Sequence, residues 1–299
     1  PDNELLTVYV KAHLMDLTNP AGREWFKGVV KNAFGSNVSG MMADFGEALP
    51  LDAHLYNMSI PPSEYHNRYP DEWFAVVREA VEELGISDDV FVFGRSAWLR
   101  SASLYSAAWQ GDQVCDWSSY DGLGSVVTSL LSSGLSGTPF THSDIGGYND
   151  ILGYHRTEEL FYRWCELAAF TTFFRTHDGS SPTGNWQFHS SEASFSNFTR
   201  YAKLHAAWLP YRTTLVAEAV ATGLPVARPL VLHYPTDANT HRLTTQFLVG
   251  TELLVAPVTA KGATAAPQVY FPEGCWEHVW TNATVVGPAT AALVMAPLG

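Results

Sequence analysis

Two short acidic segments hold the residue types most able to do chemistry. In Gly40-Met41-Met42-Ala43-Asp44-Phe45-Gly46-Glu47 an aspartate ends an apolar run, and a glutamate follows three residues on. The pair suits a nucleophilic carboxylate with a supporting acid. It equally suits a helix N-cap aspartate with a first-turn glutamate, since both complement the free N–H groups at a helix start. In Trp109-Gln110-Gly111-Asp112-Gln113 an aspartate sits beside Trp and Gly in an apolar stretch. Burial penalises the ionised carboxyl, so such an aspartate can hold its proton and act as a general acid. A turn-forming aspartate is the other reading. Asp144 follows His142 and precedes Gly146-Gly147; it either binds hydroxyl groups or caps the turn. His142 reads as structural, and Trp186 and Gln187 either wall a site or pack a loop.

Something must position these groups. Thr18-Asn19-Pro20 signals a helix start, and Trp25, Phe26, Val29 and Val30 follow at helical spacing. The run Val38 to Ala43 reads as a strand ending at Asp44. The unit repeats: a helix from about Pro70 to Leu84, with Trp73, Val77 and Val81 on its core face, then a strand over Val90 to Phe93 ending at Arg95. Ser103 to Trp109 leads into Gly111-Asp112. A helix over Gly122 to Leu131 leads to Thr138–Thr141 and then to His142 and Asp144. A helix over Glu158 to Phe170 leads to Phe173–Arg175 and then to His177 and Asp178. Arg156, Glu158 and Glu159 are assigned to a solvated helix face. Alternating strands and helices predict an α/β fold with a parallel sheet. Polar groups after each of five strands favour a (β/α)8 TIM barrel, whose sites stand at the C-terminal strand ends. Beyond Leu224 short strands at 225–234, 247–257, 268–271 and 278–280 predict a β-domain. The expected domains are therefore residues 1–224, the later part of a barrel (about strands 4 to 8), and residues 225–299, a partial β-sandwich-like domain.

Composition excludes several classes. Hydrophobic residues make up 46% and charged ones 16%, which is globular and not disordered. The net charge of −13 argues against nucleic acid as a general partner. No apolar run approaches the roughly 18 residues of a membrane helix. The three cysteines form no zinc spacing and no disulfide framework. No Gly-rich phosphate loop, dinucleotide fingerprint or serine elbow is present, so neither a metal nor a cofactor is expected. Sequons occur at Asn37, Asn57, Asn197 and Asn282.

Taken together, the segments MMADFGE, FVFGRS, WQGDQ, HSDIGGY and FFRTHDG resemble, in order and spacing, the catalytic barrel of glycoside hydrolase family 31. The resemblance runs from about Asp16 to Ala289. Within the family the chain is most similar to the sulfoquinovosidases. Asp44-Phe45-Gly46-Glu47 stands where α-glucosidases carry Asp-Met-Asn-Glu, and Gly111-Asp112-Gln113 where they carry Gly-Asp-Asn. Asp116-Trp117-Ser118, Asp16-Leu17-Thr18-Asn19-Pro20 and Asn185-Trp186-Gln187-Phe188 also match that branch.

The resemblance implies Asp44 as nucleophile, Asp112 as acid/base, and Glu47 as a further active-site acid. It places Arg95 beside the reacting carboxylates and gives His177 a hydrogen bond to a sugar hydroxyl. Tyr148 falls near a sulfonate, and Trp109, Gln113 and Asp144 join the substrate-binding set. The implied reaction is hydrolysis of α-sulfoquinovosides with retention, on a small or glycolipid-derived glycoside. A neutral α-glucoside or α-xyloside is the alternative substrate, and an inactive carbohydrate-binding fragment the alternative class. The main Arg and Trp of the family's sulfonate clamp come from a strand preceding residue 1. Five strands cannot close an eight-stranded barrel and leave edges unpaired, so residues 1–299 alone are expected to be unstable and inactive. A homo-oligomer stays open; the resemblance favours a cytoplasmic address, with a secretory leader open because the chain does not begin with Met.

Overall fold

A computed structural model describes residues 6–7, 11–35, 37–150 and 153–298. The chain divides into two compact units, Pro1–Trp109 and Gln110–Gly299.

In the first unit a two-residue pair, β1 (Leu6–Thr7) and β2 (Lys11–Ala12), precedes helix α1 (Pro20–Phe34). The Asn19 side chain caps α1 by accepting from the N–H groups of Ala21 and Gly22. Next come β3 (Gly40–Ala43), α2 (Pro62–Glu83), β4 (Phe91–Gly94) and β5 (Ala107–Trp109). The three strands are parallel: Gly40 pairs with Phe91 through Ala43 with Gly94, and Phe93 pairs with Ala107. Helix α2 begins eight residues before its expected start and carries Pro70 inside. An interior proline costs about 3 kcal/mol. Burial of Tyr65, Tyr69, Phe74, Val77 and Val81 along that helix offsets the cost. Asp71, also buried, accepts from Ser101 Oγ at 2.7 Å. The core of this unit gathers Val30 and Phe34 of α1 against the apolar face of α2, under Ala43, Val92 and Ala108.

The second unit continues with α3 (Val126–Leu135), β6 (Thr141–His142) and α4 (Glu158–Ala168). The helix expected at Gly122 opens as a 3-10 turn over Leu123–Ser125 before α3. Eight of the eleven residues of α4 are buried, so this helix runs inside the core rather than along its surface. Among the described residues, 173–175 form no strand; a single parallel bridge joins Ile145 to Thr176 instead. Two helices with no sequence expectation follow, α5 (Glu192–Ala207) and α6 (Leu209–Thr222). The sequon at Asn197 lies on α5 with its residue buried, whereas Asn37, Asn57 and Asn282 are exposed.

The chain then turns to β structure. Strands β7 (Ala227–Arg228), β8 (Phe247–Val249) and β9 (Leu253–Val255) form an antiparallel sheet. Two long strands, β10 (Ala265–Glu277) and β11 (Thr284–Met295), form a hairpin with a bulge between Phe271 and Gly274. Residues 278–280, expected as a strand, are its turn. The His278 carbonyl accepts from Thr281 and Asn282, and Asn282 takes a left-handed φ of 56°. Buried Arg163 of α4 ties the hairpin ends to the helix core, donating from Nη2 to the carbonyls of Ala263 and Ala296, both at 2.8 Å.

One histidine of α5 makes this unit acid-sensitive. His205 Nδ1 lies 3.2 Å from the Ala169 carbonyl, and burial followed by the nearby Arg212 charge lowers its pKa to about 4. The unfolded chain therefore takes up that proton first as pH falls. The stabilisation is complete above about pH 6.5 and is lost as pH drops towards 4; one pKa unit is worth about 1.4 kcal/mol, discounted for partial exposure. Urea midpoints of the full-length gene product at pH 7 and pH 5 should converge in His205→Gln relative to the unchanged protein. An equal pH dependence in both would refute this assignment.

Candidate active site

In the first unit β3 delivers Asp44 and β4 delivers Arg95 to the same end of the parallel sheet, because Ala43 and Gly94 are paired neighbours. Arg95 joins the two acids of the first motif. Its Nε is 3.3 Å from Asp44 Oδ1, and its Nη2 is 2.6 Å from Glu47 Oε1. The chain bends sharply between those acids. Phe45 has φ 62° and Gly46 φ 101°, both in the left-handed region. A Cβ on Gly46 would meet Ser96 Oγ at 2.7 Å, so that position needs glycine on two counts. Ser96 Oγ donates to the Phe45 carbonyl at 2.7 Å, and the Phe45 N–H donates to Asp44 Oδ1 at 2.7 Å. The Arg95 guanidinium also lies 4.5 Å from the Phe45 ring centre. No helix begins at Asp44, so the cap reading of this motif is set aside: the bend serves to aim two carboxylates at one cation.

In the second unit the turn carrying Asp112 is laced to the turn carrying Tyr148. The Gln113 carbonyl accepts from the N–H groups of Tyr148 and Asn149, at 2.7 and 2.9 Å. Asn149 Nδ2 donates to the Asp112 carbonyl at 2.8 Å. Val114 and Asn149 form a parallel bridge. The Gln113 side chain, expected at the substrate, is buried and donates to Ser125 Oγ at 2.9 Å. It supports the turn from behind. Trp109, in the first unit, is also buried, with its indole edge on to Phe93. Expected in the substrate-binding set, its ring lies in the protein interior, where an aromatic of this size packs as core.

Asp144 is buried and ion-paired with Arg175, whose Nε donates to His142 Nε2 at 3.0 Å. Burial lowers the Arg175 pKa, while Asp144 and then Asp112 support its charge. Asp112 therefore shares an electrostatic neighbourhood with Asp144 and Arg175. His177 belongs to it as well: burial first, then Arg175, lowers its pKa, against the pull of Asp178 and Asp112. The Gly179 N–H donates to His177 Nδ1 at 3.0 Å, so the neutral ring carries its proton on Nε2. That leaves an N–H donor pointing away from the backbone, suited to a hydroxyl oxygen. Tyr148 stands edge-on to this ring, with centroids 4.8 Å apart.

Two residues that sequence reasoning passed over belong to this framework. Arg175 was visible only as the end of an expected strand. Arg156 was assigned to a solvated helix face, and this is corrected: it precedes α4 and is 2% exposed. Its loop lacks the helical periodicity that would have revealed an inward side. Trp186 and Gln187 prove to pack a loop. Trp186 Nε1 donates to Ser194 Oγ at 2.6 Å, and Gln187 Nε2 to the Asp178 carbonyl at 2.8 Å. Among the described residues no group of His, Cys, Asp and Glu is placed to hold a metal ion, and no helix is long and apolar enough to cross a membrane.

Comparison with known proteins gives a consistent match. Residues 2–215 match the model of the glycosyl hydrolases family 31 TIM-barrel domain, and residues 223–298 that of the family 31 C-terminal domain. The chain is 41% identical over 287 residues to a sulfoquinovosidase of Escherichia coli, covering 96% of this chain and 42% of the relative. It is 30% identical over 289 residues to alpha-glucosidase 2 of Bacillus thermoamyloliquefaciens, covering 93% of this chain and 35% of that protein. A family 31 sulfoquinovosidase from E. rectale, solved with an aza-sugar inhibitor, superposes with a TM-score of 0.91 at 40% identity, covering 96% of this chain and 43% of that structure. The chain thus spans less than half the length of these relatives.

Proposed function

Since the chain belongs to glycoside hydrolase family 31, with its TIM-barrel and C-terminal β-domains, we propose that it carries the reacting carboxylates of a retaining α-glycosidase that hydrolyses α-sulfoquinovosides. The domain limits proposed are 1–224 and 225–299. The observation that carries the reading is the Arg95 clamp on Asp44 and Glu47 at the ends of paired parallel strands. The Arg95 guanidinium, 3.3 Å from Asp44 Oδ1, orients that carboxylate at the strand end, as a nucleophile requires.

The proposed chemistry takes Asp44 as nucleophile and Asp112 as acid/base, the roles that the family resemblance implies. Asp44 attacks the anomeric carbon while Asp112 gives its proton to the departing glycosidic oxygen. The C–O bond to the aglycone breaks as the bond to Asp44 forms, giving a glycosyl ester. Asp112, now a carboxylate, takes a proton from water as that water attacks the same carbon and releases Asp44. Two inversions give net retention. Glu47 shares Arg95 with Asp44 and so moderates the cation's hold on the nucleophile. Neutral His177 offers Nε2–H to a sugar hydroxyl, with Tyr148 alongside.

The sulfonated substrate is favoured by the 41% identity to a sulfoquinovosidase, against 30% to an α-glucosidase. A sulfonate is a permanent anion, so its recognition needs a local cation and hydrogen-bond donors within an acidic protein. Initial rates of the full-length gene product on aryl α-sulfoquinovoside and aryl α-glucoside test this. The expected kcat/KM ratio favours the sulfoquinovoside by at least about a hundredfold, the value of one well-placed ionic contact of about 3 kcal/mol. Faster cleavage of the glucoside overturns the substrate and leaves a neutral-sugar glycosidase.

A further inference from the structure

Each nitrogen of the Arg156 guanidinium holds a loop. The group has five N–H donors in one rigid plane. Nε donates to the Gly146 carbonyl at 3.1 Å, and Nη2 to those of Gly147 at 2.6 Å and His177 at 2.9 Å. Nη1 reaches the Trp186 carbonyl and Gln187 Oε1, both at 3.4 Å. The backbone adds two more ties: the Arg156 N–H donates to Asn185 Oδ1 at 2.9 Å, and its carbonyl accepts from Trp186 N–H at 3.0 Å. Three separate chain segments thus converge on one buried cation. Burial works against its charge, while the neighbouring Cys115 and then Asp144 and Asp178 support it.

The carbonyls it holds are next to, or part of, the residues that carry the proposed sugar contacts. Gly147 precedes Tyr148, and His177 presents the ring that Tyr148 meets edge-on. Gly146 has φ 91°, and a Cβ there would lie 2.4 Å from Arg156 Cδ and Nε. The turn is shaped to bring bare backbone against this guanidinium. A lysine ammonium, a single point donor, cannot span the same set of acceptors.

We infer that Arg156 is a positioning residue: by binding the carbonyls of Gly147 and His177 through one nitrogen, it sets the separation and tilt of Tyr148 and His177 and so aligns both on the bound sugar. The inference rests on the proposed function only in taking those two side chains as sugar ligands. It predicts a specific kinetic signature. With the aryl α-glycoside that the full-length gene product cleaves faster, Arg156→Met raises KM about tenfold or more and lowers kcat far less. Arg156→Lys restores part of the loss. In a His177→Ala background Arg156→Met raises KM less than it does alone, because the part of its effect that acts through His177 is already lost.

An unchanged KM in folded Arg156→Met, or effects that multiply in full with His177→Ala, overturns the inference. If Arg156→Met does not fold, Arg156→Lys decides: a raised KM at an unaltered melting temperature supports the clamp, and an unchanged KM refutes it. The clamp is also readable without turnover. The His177 imidazole resonances move in Arg156→Lys; if they stay in place, the inference fails. A gene product that cleaves neither glycoside, by contrast, removes the proposed function.

Discussion

Asp112→Asn should lower kcat by about 10²–10⁴-fold on glycosides with poor leaving groups, the range general acid–base catalysis typically supplies. Asparagine keeps the shape of aspartate but cannot give or take the proton. The turn should survive, because its ties run through backbone and neighbours: Asn149 Nδ2 donates to the Asp112 carbonyl, and the Gln113 carbonyl accepts from Tyr148 and Asn149. Two features separate this result from simple unfolding. Activated aryl glycosides need little protonation to depart, so their first step should suffer less. The second step, which needs Asp112 as base, should then limit turnover. Added azide, an anion that needs no base, should accelerate that step and give the α-glycosyl azide. Steady-state rates with and without azide decide it; a variant that retains full activity on both substrate types would remove Asp112 from the role.

Asp44→Asn should cost more, above about 10⁴-fold, since loss of a nucleophile removes the covalent path altogether. The surrounding loop has reason to persist. Arg95 keeps Glu47 at 2.6 Å, and Ser96 keeps the Phe45 carbonyl at 2.7 Å. The measurement is direct: a 2-deoxy-2-fluoro substrate slows the second step and lets the ester accumulate. Peptide mass analysis should then find the sugar on Asp44 in the unchanged protein and no label in Asp44→Asn. A label on Glu47 would exchange the roles of the two acids.

Much of the site is legible before folding because it is local in sequence. The bend at Asp44-Phe45-Gly46-Glu47 depends on a glycine beside a residue with left-handed φ, and the turn at Asp112 on Gly111. Strand-then-polar repeats carry the parallel sheet. Elements whose stability comes from partners distant in sequence are less readable. Helix α2 runs on through Pro70 because tyrosines and Asp71 find buried partners. Residues 278–280 look extended until β10 and β11 pair and make them a turn. Trp109 and Gln113 look like ligands by type, yet neighbours contributed from elsewhere bury both.

The sequence by itself determined the family, the strand-end acids and the fold class, since each is written in short segments whose residue types and spacing are constrained locally. Tertiary structure decided which charge meets which. Arg95 reaches Asp44 and Glu47 only because β3 and β4 lie side by side, 48 residues apart from Glu47 to Arg95 along the chain. Arg156 turns inward only because three loops bring carbonyls that a buried cation can satisfy. A guanidinium is stable at the surface or in a complete cage of acceptors, and no local pattern distinguishes the two. The cage exists only after the chain has folded.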